Sequence, residues 1–103
     1  MPLRFGIWLG GIFMPKALAD YLGYCIYFWI ADAREPVHVH VSKGEPQKNA
    51  TKIWIKEEGI ELAHNNSQIP AKDLKQLLTF IDENKDDVVL QWMSVFKAAE
   101  YKR

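Results

Sequence analysis

The sequence predicts an α+β domain: a small antiparallel sheet of three to five strands, two C-terminal helices on one of its faces, and a short N-terminal helix. Three observations carry that expectation. Apolar and polar residues alternate strictly in Val37-His38-Val39-His40-Val41 and again in Lys52-Ile53-Trp54-Ile55-Lys56. Leu74, Leu77, Leu78 and Ile81 recur at i, i+3, i+4 and i+7, one stripe of an amphipathic helix. The strand signals all precede the long helical ones, so sheet and helices form separate layers. With 103 residues the chain is the size of one domain with one core.

Taken in order, Met14-Pro15-Lys16-Ala17-Leu18-Ala19-Asp20-Tyr21-Leu22-Gly23 suggests the short helix, with proline in its first turn and Gly23 closing it. The apolar run Phe5–Met14 loosely imitates a secretory leader, but glycines interrupt it, the Gly10-Gly11 pair above all, and one positive charge precedes it, so it reads as part of the core. Tyr24 to Ala31 is apolar on both faces, as a covered central strand is. Asp32-Ala33-Arg34-Glu35-Pro36 is a turn, because Pro36 biases Glu35 away from helix. Two alternating strands follow, separated by a loop from Gly44 to Asn49. Glu58-Gly59 makes a tight turn into a further strand, Ile60 to His64. Pro70 opens the first long helix and Asn84 stops it. Asp86 and Asp87 favour the start of a second, with Val89, Trp92, Met93 and Phe96 on one face.

Composition removes several functions. Thirteen basic and thirteen acidic residues cancel, and they cancel again within residues 1–36 (three of each), 37–66 (four of each) and 67–103 (six of each). Without a basic segment, extensive binding to duplex DNA is not expected. No apolar run is long enough to span a membrane. Cys25 is the only cysteine, which excludes an internal disulfide and a cysteine-based zinc site. No phosphate-binding loop, dinucleotide fingerprint, nucleophile elbow or His-Glu-x-x-His sequence is present, so no cofactor is implied.

His38 and His40 are the sharpest chemical feature. At i and i+2 of a strand their side chains point the same way, roughly 6.5 to 7 Å apart along the backbone. They suit an acid/base pair or the first two ligands of a metal ion. A third ligand has to come through folding, from Asp32, Glu35 or His64. If the three valines face the core together with Ile53 and Ile55, the opposite face of the sheet carries His38, His40, Lys52, Trp54 and Lys56, flanked by Arg34 and Lys43. Such a surface can anchor a protein partner through Trp54, or stack a base and hold a phosphate of single-stranded RNA. The plainest expectation is that the histidines only occupy the wet face and that the N-terminal segment covers Trp54. His64, in phase with Ile60 and Leu62, reads as a hydrogen-bonded edge residue.

The stretch Glu35-Pro36-Val37-His38-Val39-His40-Val41 resembles the bacterial family known as domain of unknown function 4160. So do Lys52-Ile53-Trp54-Ile55, Ile60-Glu61-Leu62, Pro70-Ala71-Lys72-Asp73-Leu74, and Asn84-Lys85 through Gln91-Trp92 to Phe96. The likeness covers residues 24–97 and leaves 1–23 as an N-terminal extension. Many members carry a further histidine or a second proline where this chain has Arg34-Glu35-Pro36-Val37. The resemblance implies a short cytoplasmic prokaryotic protein, often paired with another small gene and in some cases grouped with toxin–antitoxin systems. It implies no activity. The first functional expectation is therefore an interaction module contacting a small protein or RNA. The alternatives are a ribonuclease using His38 and His40, with Lys43 or Arg34 on the phosphate, and a two-histidine metal site completed by a carboxylate.

Overall fold

The computed structural model describes residues 6–9 and 12–102. Six strands follow one another across the sheet in chain order, every neighbour antiparallel: β1 (Gly6–Leu9), β2 (Ile12–Tyr21), β3 (Tyr24–Tyr27), β4 (His38–Lys43), β5 (Thr51–Lys56) and β6 (Gly59–His64). Strands β2 to β6 form the five-stranded sheet that carries the site, and β1 pairs only with the first part of β2. Two helices, α1 (Ala71–Glu83) and α2 (Lys85–Phe96), complete an α+β fold. No helix among the described residues is long and apolar enough to cross a membrane.

The sheet has one helix-covered face. Ile26, Val39, Val41, Ile53 and Ile55 are fully buried on it, against Leu77 and Ile81 of α1 and Val88 and Trp92 of α2. Each buried aliphatic side chain contributes roughly 1.5–3 kcal/mol of transfer free energy, so this layer holds the strands in register. The stripe of α1 is the one its sequence predicts. On α2 the inward face lies one residue earlier, on Val88 and Trp92, with Val89, Val95 and Phe96 partly buried. Met93 is exposed, contrary to expectation, because the face is set by Trp92, which packs against Phe28 and Phe96 at 5.1 and 4.6 Å.

Residues 14–23 do not form the expected helix. They continue β2 and turn into β3 through Leu22 and Gly23, both at positive φ (53° and 80°), as a two-residue hairpin turn requires. Once the chain reverses in two residues, what precedes Tyr24 must lie beside it, and ladder hydrogen bonds replace helical ones. Two irregularities in this ladder, between Lys16 and Leu18 and between Leu18 and Tyr21, let Ala17 reach the core while Leu18 also packs against it. Tyr21 then stacks on Phe80 of α1, ring centroids 4.1 Å apart.

β3 also ends sooner than its composition suggests. After Tyr27 the chain leaves the sheet and coils into a 3-10 turn, Ile30–Arg34. The vacated edge beside the start of β4 is taken by the C-terminal tail. The amide of Val37 donates to the Glu100 carbonyl at 2.8 Å, and its own carbonyl accepts from Ile55 at 3.0 Å.

Leu22 is 46% exposed and sits in a left-handed conformation that favours glycine and asparagine. Leu22→Asn is expected to raise stability by about 0.5–1 kcal/mol, read as a higher urea midpoint at unchanged slope.

Candidate functional site: an aspartate between two buried imidazoles

The outer face of the sheet is built around β4. Proline before the strand forces extended backbone, and the alternation that buries Val39 and Val41 turns His38 and His40 to the other side. Their rings lie edge to face, 4.9 Å between centroids. Opposite them on β5 stand Trp54, paired with His38, and Lys52, paired with His40. The expected face is therefore present, but it is not open to water as expected. The His38 side chain has no exposed area, and that of His40 keeps 14%. The His38 ring is closed between Trp54 and Trp92, each with its centroid 5.4 Å away, and His40 lies beside Tyr27 and Trp29.

What seals the pair is the 3-10 turn. Its Asp32 accepts a hydrogen bond from the Trp29 amide at 2.7 Å, and the Asp32 amide returns one to the Trp29 carbonyl at 2.9 Å. This reciprocal closure folds the turn back and sets its carboxylate against β4. Oδ2 then lies 3.1 Å from Nε2 of His38 and 3.1 Å from Nε2 of His40. Burial alone would raise the Asp32 carboxyl. The two imidazoles and the Trp29 amide outweigh it and hold the group far below the ordinary carboxylate range.

The two contacts differ in kind. His40 Nε2 is in hydrogen-bonding geometry with Oδ2. His38 Nε2 has no hydrogen-bond partner although it is buried. Its other nitrogen, Nδ1, lies 2.8 Å from the Pro36 carbonyl, which can only accept, so Nδ1 carries the hydrogen. In the neutral ring Nε2 is then a bare lone pair, 3.1 Å from a carboxylate oxygen but outside hydrogen-bonding geometry with it. A positive charge between them, such as a metal ion, would relieve this contact.

The three atoms suit one. All lie within 4.8 Å of one another. Ligands about 2.0–2.1 Å from a zinc-like ion stand about 3.3 Å apart in a tetrahedron and about 2.9 Å apart at adjacent octahedral corners. Of the three separations, the two from Oδ2, 3.1 Å each, fall between those values; the two imidazole nitrogens must also lie within about 4.2 Å of each other once an ion is bound. Two imidazoles and a carboxylate are also a donor set that zinc and divalent iron accept. The Pro36 carbonyl on Nδ1 is the outer support that orients a ligating imidazole.

The remaining residues named from sequence are spread more widely. Lys52 bridges to Glu35 at 2.6 Å and covers the Trp54 indole, 4.2 Å from its centroid. Among the described residues Trp54 is screened by Lys52 and by Lys102 of the tail (5.6 Å); the expected cover by the N-terminal segment falls largely outside the described residues. Lys56 pairs with Glu61 at 3.2 Å, also on the outer side. Arg34 is exposed in the 3-10 turn, and Glu35 takes Lys52 rather than Arg34 as its partner. Lys43 does not belong to this face: in phase with Val39 and Val41, it sits 5.5 Å over the Tyr24 ring on the helix side. His64 is an edge residue whose Nδ1 accepts from the Asn66 amide at 3.3 Å. The phase expected for it is changed by a bulge. Leu62 pairs with Ile53 and His64 with Lys52, leaving Ala63 as the extra residue, so His64 joins Lys52 and His40 in one row. Burial, then the charges of Lys52 and His40, lower its basicity.

A model of the family described as domain of unknown function DUF4160 matches residues 23–93, and the chain belongs to that family. No curated protein and no solved structure matches the chain.

Asp32 ties the turn to the strand, so Asp32→Ala strands the Trp29 amide and His40 Nε2. In chelator-containing buffer it is expected to lose about 2–3 kcal/mol of unfolding free energy, measured by urea denaturation.

Proposed function

We propose that this member of the domain of unknown function 4160 family binds a divalent transition-metal ion through Asp32 Oδ2, His38 Nε2 and His40 Nε2. One observation carries the reading: the buried, unpartnered Nε2 of His38, its tautomer set by the Pro36 carbonyl. Three protein ligands leave at least one coordination position for a water molecule or a further ligand, the pattern of metal centres that do chemistry rather than brace a fold. A ribonuclease in which His38 and His40 both exchange protons with a substrate is disfavoured, since His38 offers no surface to one.

The test is metal analysis and calorimetry on protein carrying no histidine tag and purified without chelator. About one equivalent of zinc or cobalt(II) per chain is expected, with affinity falling as the pH is lowered, because the ion must displace protons from imidazole. Metal at 100 times its dissociation constant should stabilise the fold by about 2.7 kcal/mol. His40→Ala, at the most accessible ligand, should fold and lose more affinity than the roughly 10- to 100-fold that a supporting residue costs. Affinity unchanged in His40→Ala would exclude the site. Absence of any binding would leave Asp32 sharing a proton with the imidazoles.

A second reading, contact with a small protein partner in the cytoplasm of a prokaryote, draws on a different place. Ile30 is 43% exposed beside a hollow of about 310 Å³ that it lines with Trp29, Ala31 and Lys48. An apolar side chain on the turn that carries Asp32 is a better anchor than the screened Trp54. This reading includes membership of a toxin–antitoxin-like pair, with RNA as the other candidate partner. Affinity purification from the native cell, with and without ribonuclease, should recover one small protein in both cases and lose it with Ile30→Glu. Recovery that requires RNA would decide for the nucleic acid.

A further inference from the structure

We infer that the open side of the Asp32–His38–His40 site takes a tetrahedral oxyanion, inorganic phosphate or a phosphoester, held by the metal and by Lys52 with His64 beside it. This rests on the metal reading above and asks what completes it.

Charge gives the first argument. A divalent ion held by one carboxylate and two neutral imidazoles keeps one positive charge. The walls of the site are the rings of Tyr27, Trp29, Trp54 and Trp92, which screen that charge poorly. A buried charge without compensation is costly, so an anion is favoured in the remaining position.

Geometry gives the second. His38 is sealed, and Asp32 and His40 retain 9% and 14% of their side-chain area, so the approach lies on the side of His40. Lys52 stands directly across from His40 on β5, and His64 directly across from Lys52 on β6. The row is therefore a metal ligand, an ammonium and an imidazole on three adjacent strands. Because Nδ1 of His64 accepts from the Asn66 amide, the neutral ring carries its hydrogen on Nε2 and presents a donor.

Lys52 already has a counter-ion, Glu35, at 2.6 Å. The Glu35 side chain is 43% exposed, however, and exposed ion pairs are worth only about 0–1 kcal/mol. An oxyanion on the metal can draw Lys52 from Glu35 at little cost. A tetrahedral anion has oxygens to spare for metal, ammonium and imidazole together, whereas a monodentate carboxylate leaves only one after binding the ion. Lysine serves such groups as a point charge.

The experiment uses the full chain loaded with cobalt(II), whose visible absorption reports changes in coordination. It is titrated with sodium phosphate, sodium acetate and sodium chloride at matched ionic strength. Phosphate is expected to change the spectrum at the lowest concentration of the three. Lys52→Met keeps an apolar stem over Trp54 and removes the ammonium; it should raise the phosphate dissociation constant about tenfold, the effect of about 1.4 kcal/mol. Its cobalt affinity should stay within about twofold, as should that of His64→Gln, which is expected to weaken phosphate less, since a neutral donor contributes less than a charged one. A cobalt spectrum that phosphate does not move, or that acetate moves equally well, overturns this inference and leaves the metal site standing. So does phosphate binding unaltered in Lys52→Met. A chain that takes up no cobalt overturns both.

Discussion

The hydrogen bond from His38 Nδ1 to the Pro36 carbonyl is the constraint on which the outer face depends. It spans only two residues, and the proline that supplies the acceptor also forces the extended entry into β4. With that nitrogen committed, the ring has one orientation and its other nitrogen one direction. Trp54 and Trp92 close on the ring's faces and edges and remove its freedom to rotate. Asp32 is brought to meet it by the 3-10 turn, itself fixed by the Trp29 amide. A largely buried polar trio is thus held from three separate elements.

Those elements exist because the sheet is covered unequally. On the helix side the burial is complete and ordinary, and Val39, Val41, Ile53 and Ile55 need nothing but volume. On the other side the described residues form no helix layer. Cover comes from aromatic rings, from a short turn where β3 leaves the sheet, and from the tail that replaces it. Tyr27 shows the same economy: its hydroxyl donates to the Gln47 carbonyl at 2.8 Å and accepts from the Gln47 amide at 3.0 Å, fastening the loop before β5. Irregular backbone can cover a sheet face only where its polar groups find such partners.

What the sequence shows depends on how local the cause is. Alternation in residues 37–41 and 52–56 is decided by neighbours two apart, so the faces of β4 and β5 and the side shared by His38, His40, Lys52 and Trp54 were readable. The leucine stripe of α1 is local in the same sense. Residues 14–23 were not readable, because alanine, leucine and lysine suit a helix and only the pairing with β3 overrules them. The outward turn of Met93 follows from where Trp92 finds Phe28 and Phe96. Asp32 was one of three acidic or imidazole candidates for a third ligand. Its selection needed the chain to coil back within four residues of Trp29, which composition does not announce. The bulge at Ala63 has no local signature either, and it alone decides which way His64 points.

The C-terminal tail lies beyond residue 93, where the shared region of the family stops, yet its Glu100 carbonyl fills the edge of β4 next to His38 and its Lys102 screens Trp54. Asp32, His38 and His40 thus lie inside the matched stretch, while part of their enclosure lies outside it. Rewriting a few tail residues that touch none of the three would change how deeply this Asp–His–His cluster is shut away.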